Sequence, residues 1–121
     1  YEMHVKGFTA NAPWLPESLR GTYAGLAHPT TLAYLQGLGI TSIELLPIMA
    51  KQDELILQEH GRKNYWGYST LSYFAPEPSY ATKAAQEKGA AAVRQEVIDM
   101  VRALHEAGFE VIMDVVYYHT C

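Results

Sequence analysis

Two short runs rich in β-branched and apolar residues constrain this chain more than anything else in it. Ile40 to Ile48 reads Ile-Thr-Ser-Ile-Glu-Leu-Leu-Pro-Ile, and Phe109 to Val116 reads Phe-Glu-Val-Ile-Met-Asp-Val-Val. Neither alternates strictly between apolar and polar, so both suit strands buried on both faces, as in a parallel sheet. Each follows a helical pattern that stops at a glycine. Pro29 opens one in which Leu32, Leu35 and Leu38 recur until Gly39, and Val93, Val97, Met100, Val101 and Leu104 form a single apolar stripe before Gly108. At the start of the chain Tyr1, Met3 and Val5 alternate with Glu2 and His4 as a first strand closed by Gly7. The order strand, helix, strand, helix, strand demands right-handed parallel crossovers, so the fold class is α/β.

Between these elements lie two long connections. Thr9 to Ala27 carries Pro13, Pro16, Gly21 and Gly25 and reads as a loop with at most a turn of helix. Met49 to Lys88 loses periodicity altogether, and a stretch of about forty residues is far beyond the usual ~4–6 and marks a binding loop or lid. Its first third, with Lys51, Asp53, Glu54, Glu59, Arg62 and Lys63, reads as a solvated face.

The chain has 121 residues. That suits one domain but is about half of the ~250 residues of a closed eight-stranded barrel, so a complete barrel is excluded. Three parallel strands leave two open edges, which points to part of a larger α/β domain and favours self-association of the isolated chain. Tyr1 stands where an initiator Met is usual, which fits a chain cut from something longer. Nine Lys and Arg against 13 Asp and Glu give a net charge of −4, with no Lys/Arg run. Neither nucleic acid nor an anionic membrane is expected as a partner. The lone Cys121 allows no internal disulfide, no apolar run is long enough to span a bilayer, and no signal peptide is visible. A cytoplasmic location is the expectation.

In parallel α/β folds, functional side chains gather on the loops at the carboxyl ends of strands. Asp114 interrupts an apolar strand end, where a carboxylate must find a partner; a structural ion pair and a role in a site are both open. His119 stands five residues on, able to hydrogen-bond a ligand or only the protein. Asn64-Tyr65-Trp66-Gly67-Tyr68-Ser69-Thr70 sets three aromatics around a glycine that permits a tight turn. Such rings suit the apolar faces of sugars, or they only plug the end of the sheet. His4, Glu44, Asp114 and His119 sit at strand ends that parallel pairing brings together. They contain no close ligand pair, no His-Glu-x-x-His and no phosphate-binding glycine motif, so neither a metal nor a cofactor is expected.

Four segments, in order, resemble one family: Tyr1-Glu2-Met3-His4-Val5-Lys6-Gly7-Phe8-Thr9, Gly39 to Ile48, Asn64 to Tyr68, and Asp114-Val115-Val116-Tyr117-Tyr118-His119-Thr120. The chain is similar to isoamylase-type bacterial glycogen debranching enzymes of the alpha-amylase superfamily, glycoside hydrolase family 13. The resemblance implies that residues 1–121 are the N-terminal portion of a catalytic (β/α)8 barrel, a partial TIM barrel running β1-α1-β2-α2-β3. It implies that Tyr68 stacks on the sugar beside the cleaved bond, that His119 hydrogen-bonds that sugar, and that Asp114 organises the site, with Tyr65 and Trp66 adding to the substrate floor. The implied substrates are branched α-glucans: glycogen, limit dextrin and maltooligosaccharide. The implied chemistry is retaining hydrolysis of α-1,6 linkages. Its nucleophile and acid/base lie beyond residue 121, so this stretch holds no catalytic residue and is expected to be inactive alone. Tyr118 departs from the superfamily motif, which usually has an Asn there that in many members binds calcium; a phenol is a poor calcium ligand. Two other readings stay open: a non-catalytic α-glucan-binding module, and another activity of the same superfamily, branching or trehalose formation.

Overall fold

The computed structural model describes all of Tyr1 to Cys121. Along the chain run β1 (Glu2–Met3), α1 (Val5–Thr9), α2 (Tyr23–Leu26), α3 (Pro29–Gly37), β2 (Ser42–Leu45), β3 (Met49–Lys51), α4 (Leu55–Glu59), β4 (Thr70–Pro76), α5 (Lys83–Lys88), α6 (Ala90–Glu106) and β5 (Glu110–Met113). Single 3-10 turns occupy Glu17–Leu19 and Pro78–Tyr80.

The strands β1, β2 and β5 form a parallel sheet in the order β1-β2-β5. Met3, Leu45 and Met113 share one row, and Glu2, Glu44 and Ile112 share the next. Because successive side chains point to opposite faces, the sheet has two unlike sides. Ile43 and Leu45 are fully buried against the helices, in one core with Leu26, Leu35, Met100 and Leu104. Each such side chain contributes about 1.5–3 kcal/mol on leaving water. The other side carries the row Glu2, Glu44 and Ile112, and Ile112 is 49% exposed. Within residues 1–121 the third strand is therefore not covered on both faces. β5 pairs only with β2, so its outer edge is uncovered and Ile112 and Met113 are about half exposed.

The helices at Pro29 and Ala90 form as the apolar spacing requires, and Gly39 and Gly108 take positive φ values of 72° and 94° just beyond them. Leu38, however, falls outside the first of these helices' buried stripe and is 44% exposed. Two other expectations are corrected. The first strand is only two residues long, because the His4 ring accepts the backbone N–H groups of Lys6 and Gly7 at 3.0 and 3.1 Å and starts α1 at once. The loop after Thr9 holds a single capped turn of α-helix, α2, as expected, and its Thr22 hydroxyl accepts from Gly25 N–H at 3.0 Å. The stretch from Met49 to Lys88 is not irregular: β3 and β4 pair antiparallel, Lys51 with Thr70 and Ala50 with Ser72, followed by α5. Of its charged first third, α4 buries nothing, as a solvated face should, whereas Lys51 and Asp53 form a partly buried ion pair at 3.7 Å.

Candidate functional site

The β3–β4 pair holds the aromatic segment at the carboxyl end of the parallel sheet. Asp53 accepts the Asn64 N–H at 2.7 Å, Lys51 donates to the Asn64 carbonyl at 2.6 Å, and the Asn64 side chain accepts the Gly67 N–H at 2.8 Å. Gly67 closes this turn at φ +90°, with a β-carbon there lying only 3.1 Å from the Pro47 carbonyl oxygen. A side chain at that position meets both backbone strain and a crowded neighbour, so the glycine is required by the turn. The turn leaves Tyr65 and Trp66 about half exposed, at 49% and 57%, and brings the Tyr68 hydroxyl to Asp114.

The Tyr68 hydroxyl donates to Asp114 Oδ2, while the Asp114 N–H donates to the Leu45 carbonyl at 2.9 Å. Asp114 thus finds the partner its position demands, but that partner is a phenol 46 residues away rather than a cation. The hydrogen bond to Asp114, then burial, then the charges of Asp114, Glu2 and Glu44 push Tyr68 up to about 12. Tyr68 is a protonated donor across the physiological range and cannot serve as a base.

Tyr65 lies flat on the His4 ring, centroids 4.3 Å apart and 13° from parallel, with Trp66 edge-on to it at 5.6 Å. His4 Nε2 donates to the Tyr65 carbonyl at 2.7 Å and lies 3.2 Å from the Tyr80 hydroxyl. Since Nδ1 accepts from the start of α1, the proton of the neutral ring belongs on Nε2. Burial, with further help from Lys51 and Lys6, holds this histidine below its usual pKa. Both ring nitrogens are engaged, so His4 as placed offers no lone pair to a metal. Gly7 makes room for the stack: a β-carbon there would fall 2.0 Å from the Tyr65 hydroxyl oxygen.

The remaining sequence candidate, His119, is exposed, and its ring makes no hydrogen bond and packs edge-on to Tyr118 at 5.9 Å. Its carbonyl, with that of Val116, lies 2.7 Å from the Tyr73 hydroxyl, and the Cys121 N–H donates to the Thr70 carbonyl at 3.0 Å. β4 thereby ties residues 114–121 beside Tyr68. The structure joins Tyr68 to Asp114 and Tyr65 to Trp66, and leaves the His119 ring apart from both pairs. Sequence reasoning missed Tyr73 and the orienting roles of Asn64 and His4. The available signal was a side-chain acceptor two and three residues ahead of the backbone N–H groups it serves.

A family model described as "Alpha amylase, catalytic domain" matches residues 4–121. The chain belongs to this family. Its strands and crossovers are accordingly part of a TIM-barrel-type α/β fold. Among relatives of this alpha-amylase domain, a glycogen debranching enzyme of Yersinia enterocolitica is 52% identical over 120 residues, covering 99% of this chain and 18% of that protein. The glycogen operon protein GlgX homologue of Haemophilus influenzae is 51% identical, covering 99% of this chain and 17% of that protein. A crystal structure of a pullulanase from Anoxybacillus sp. LM18-11 complexed with maltotetraose superposes with a TM-score of 0.80 at 32% identity, covering 99% of this chain and 18% of that one. The chain therefore spans less than a fifth of the length of these relatives. No helix of this alpha-amylase domain is long and apolar enough to cross a membrane.

Proposed function

We propose that residues 1–121 are the N-terminal portion of a catalytic barrel domain that hydrolyses α-1,6 branch linkages of glycogen or limit dextrin with retention. The reading rests on one observation: a phenol–carboxylate pair, Tyr68 and Asp114, seated at the carboxyl end of a parallel sheet beside exposed Tyr65 and Trp66. Aromatic faces take up the apolar side of a glucose ring, and the Tyr68–Asp114 pair fixes the ring at the floor of the cleft. The debranching and pullulanase names of its relatives favour a branched substrate over the branching and trehalose-forming alternatives. In this reading His119 turns toward the same sugar when substrate is bound, and the cytoplasm is where such a substrate is met.

A retaining glycosidase needs a nucleophile and an acid/base carboxyl about 5–5.5 Å apart. Asp114, its Oδ2 already bonded to Tyr68, fills neither role, so the pair is contributed by later strands of the barrel. In the full-length polypeptide, Tyr68→Ala and Trp66→Ala lower kcat/KM on branched limit dextrin by about 30-fold or more, ~2 kcal/mol of transition-state binding. Wild-type kinetics in both variants would overturn the assignment. Release of reducing sugar by residues 1–121 alone would overturn the placement of the carboxylates.

A further inference from the structure

The acidic balance of the chain conceals an uneven placement of its cations. Two cavities of about 870 and 360 Å³ adjoin on the side where the loops after β1 and β2 emerge, and Lys6 and Ser79 line both. The larger adds Arg20 and Lys83, and the smaller adds Lys51 and Lys63. Five of the chain's nine Lys and Arg side chains thus border these cavities, against one of its 13 carboxylates, Glu17. The sequence shows no such cluster, because the five are scattered from position 6 to position 83 and only the fold gathers them.

Four of these cations form no ion pair. The ion pairs of the chain are Lys51 with Asp53 and Arg102 with Asp99, which leaves Lys6, Arg20, Lys63 and Lys83 without a carboxylate partner. Two of the walls are held in place. The Lys6 stem packs over Gly21, whose β-carbon would lie 3.2 Å from Lys6 Cγ, and Arg20 Nε donates to the Leu15 carbonyl at 3.1 Å. A concave wall with an excess of one sign of charge focuses its field into the cavity and draws in a counter-charge. Ammonium and guanidinium groups bind phosphate oxygens through charge-assisted hydrogen bonds. Around them stand the Ser18 and Ser79 hydroxyls and the Asn11 amide, neutral groups suited to a polyhydroxylated body.

We propose that these adjoining cavities bind a phosphate monoester carried on a sugar, whether the phosphate is borne by an α-glucan chain or by a free hexose phosphate. The sugar in this ligand rests on the α-glucan reading above; the anion does not. The smaller cavity is also lined by His4, Asn64 and Tyr65, so an anion there reaches the segment that carries Trp66.

The test is calorimetric titration of the full-length polypeptide with glucose 6-phosphate, inorganic phosphate, glucose, and a phosphorylated glucan before and after phosphatase treatment. The double variant Lys6→Gln/Lys83→Gln serves as control, both side chains being exposed and outside the core. The expected result is saturable binding of glucose 6-phosphate or of the phosphorylated glucan, weakened about tenfold in the double variant and further by added salt. Which of the two binds identifies the source of the phosphate. Equal binding by wild type and variant, or none by either, overturns the proposal, and inorganic phosphate binding as tightly as glucose 6-phosphate overturns its sugar component. No binding of the phosphatase-treated glucan, with glucose 6-phosphate binding intact, would refute the α-glucan reading alone.

Discussion

Replacing Asp114 by Ala removes both the hydrogen-bond acceptor and the charge that raise the pKa of Tyr68. Tyr68 moves from an ordinary 10.0 to about 12, with the hydrogen bond to Asp114 as the leading cause. Two units mean about a hundredfold less phenolate at a given pH and ~2.7 kcal/mol between the two protonation states. Both groups keep some contact with water, which screens the interaction, so its share in stability is about 1 kcal/mol. The sign follows from the raised folded value: this stability is complete below about pH 10 and is lost as the pH climbs toward 12. Tyrosinate absorbance reads the effect directly. The chain has nine tyrosines that absorb alike, so Tyr68 is isolated by subtracting the curve of Tyr68→Phe from that of the wild type. The difference shows no ionisation up to about pH 11, whereas the same subtraction in an Asp114→Ala background shows a midpoint shifted down toward 10. A wild-type difference curve already centred at 10 would refute the Tyr68–Asp114 bond.

Three further outcomes follow from the geometry. Gly67→Ala, at φ +90° and 3.1 Å from the Pro47 carbonyl, destabilises by about 1–3 kcal/mol and shifts Trp66 fluorescence; a urea midpoint equal to wild type would contradict the turn. Tyr23→Phe removes the fully buried donor that meets the Glu77 carbonyl at 2.9 Å and costs about 1–2 kcal/mol in thermal melting. His4 is held below its ordinary 6.5 in the folded chain, so its contribution is complete above that pH and declines as the pH falls toward the lowered folded value. His4→Asn, which still caps α1, flattens that decline between neutral and mildly acidic pH. An unchanged slope would mean that the ring is not neutral.

Elements whose burial follows from their own periodicity were legible in the sequence. α6 shows its stripe from Val93 to Leu104, α3 opens on Pro29, and the three parallel strands sit where the apolar runs are. Elements made by local side-chain bonds were not. The alternation of Tyr1 to Val5 looks like strand to its end, and a histidine cap turns its second half into helix. The β3–β4 pair is short and irregular in register between Met49 and Lys51, which erases the period of two that would have announced it. At the site, the need of Asp114 for a partner is readable from its apolar neighbours, but the partner's identity depends on a turn 46 residues away. His119 shows the converse: a motif supplies a residue type, while the position of its ring depends on what surrounds it.

The bond between Asp53 and the Asn64 N–H has a consequence for how such chains diverge. It closes the base of the excursion, so that α4, with Leu55 and Ile56 at 76% and 65% exposure, hangs outside a loop whose two feet are already joined. Lengthening a flexible loop costs little, about 0.6 kcal/mol for each doubling, and exposed loop tips accept inserted residues readily. Additions or deletions between Gln58 and Lys63 therefore leave the Asn64–Gly67 turn, and with it Tyr68, where they are. The rim of the cleft can change length during evolution while its floor keeps the same coordinates.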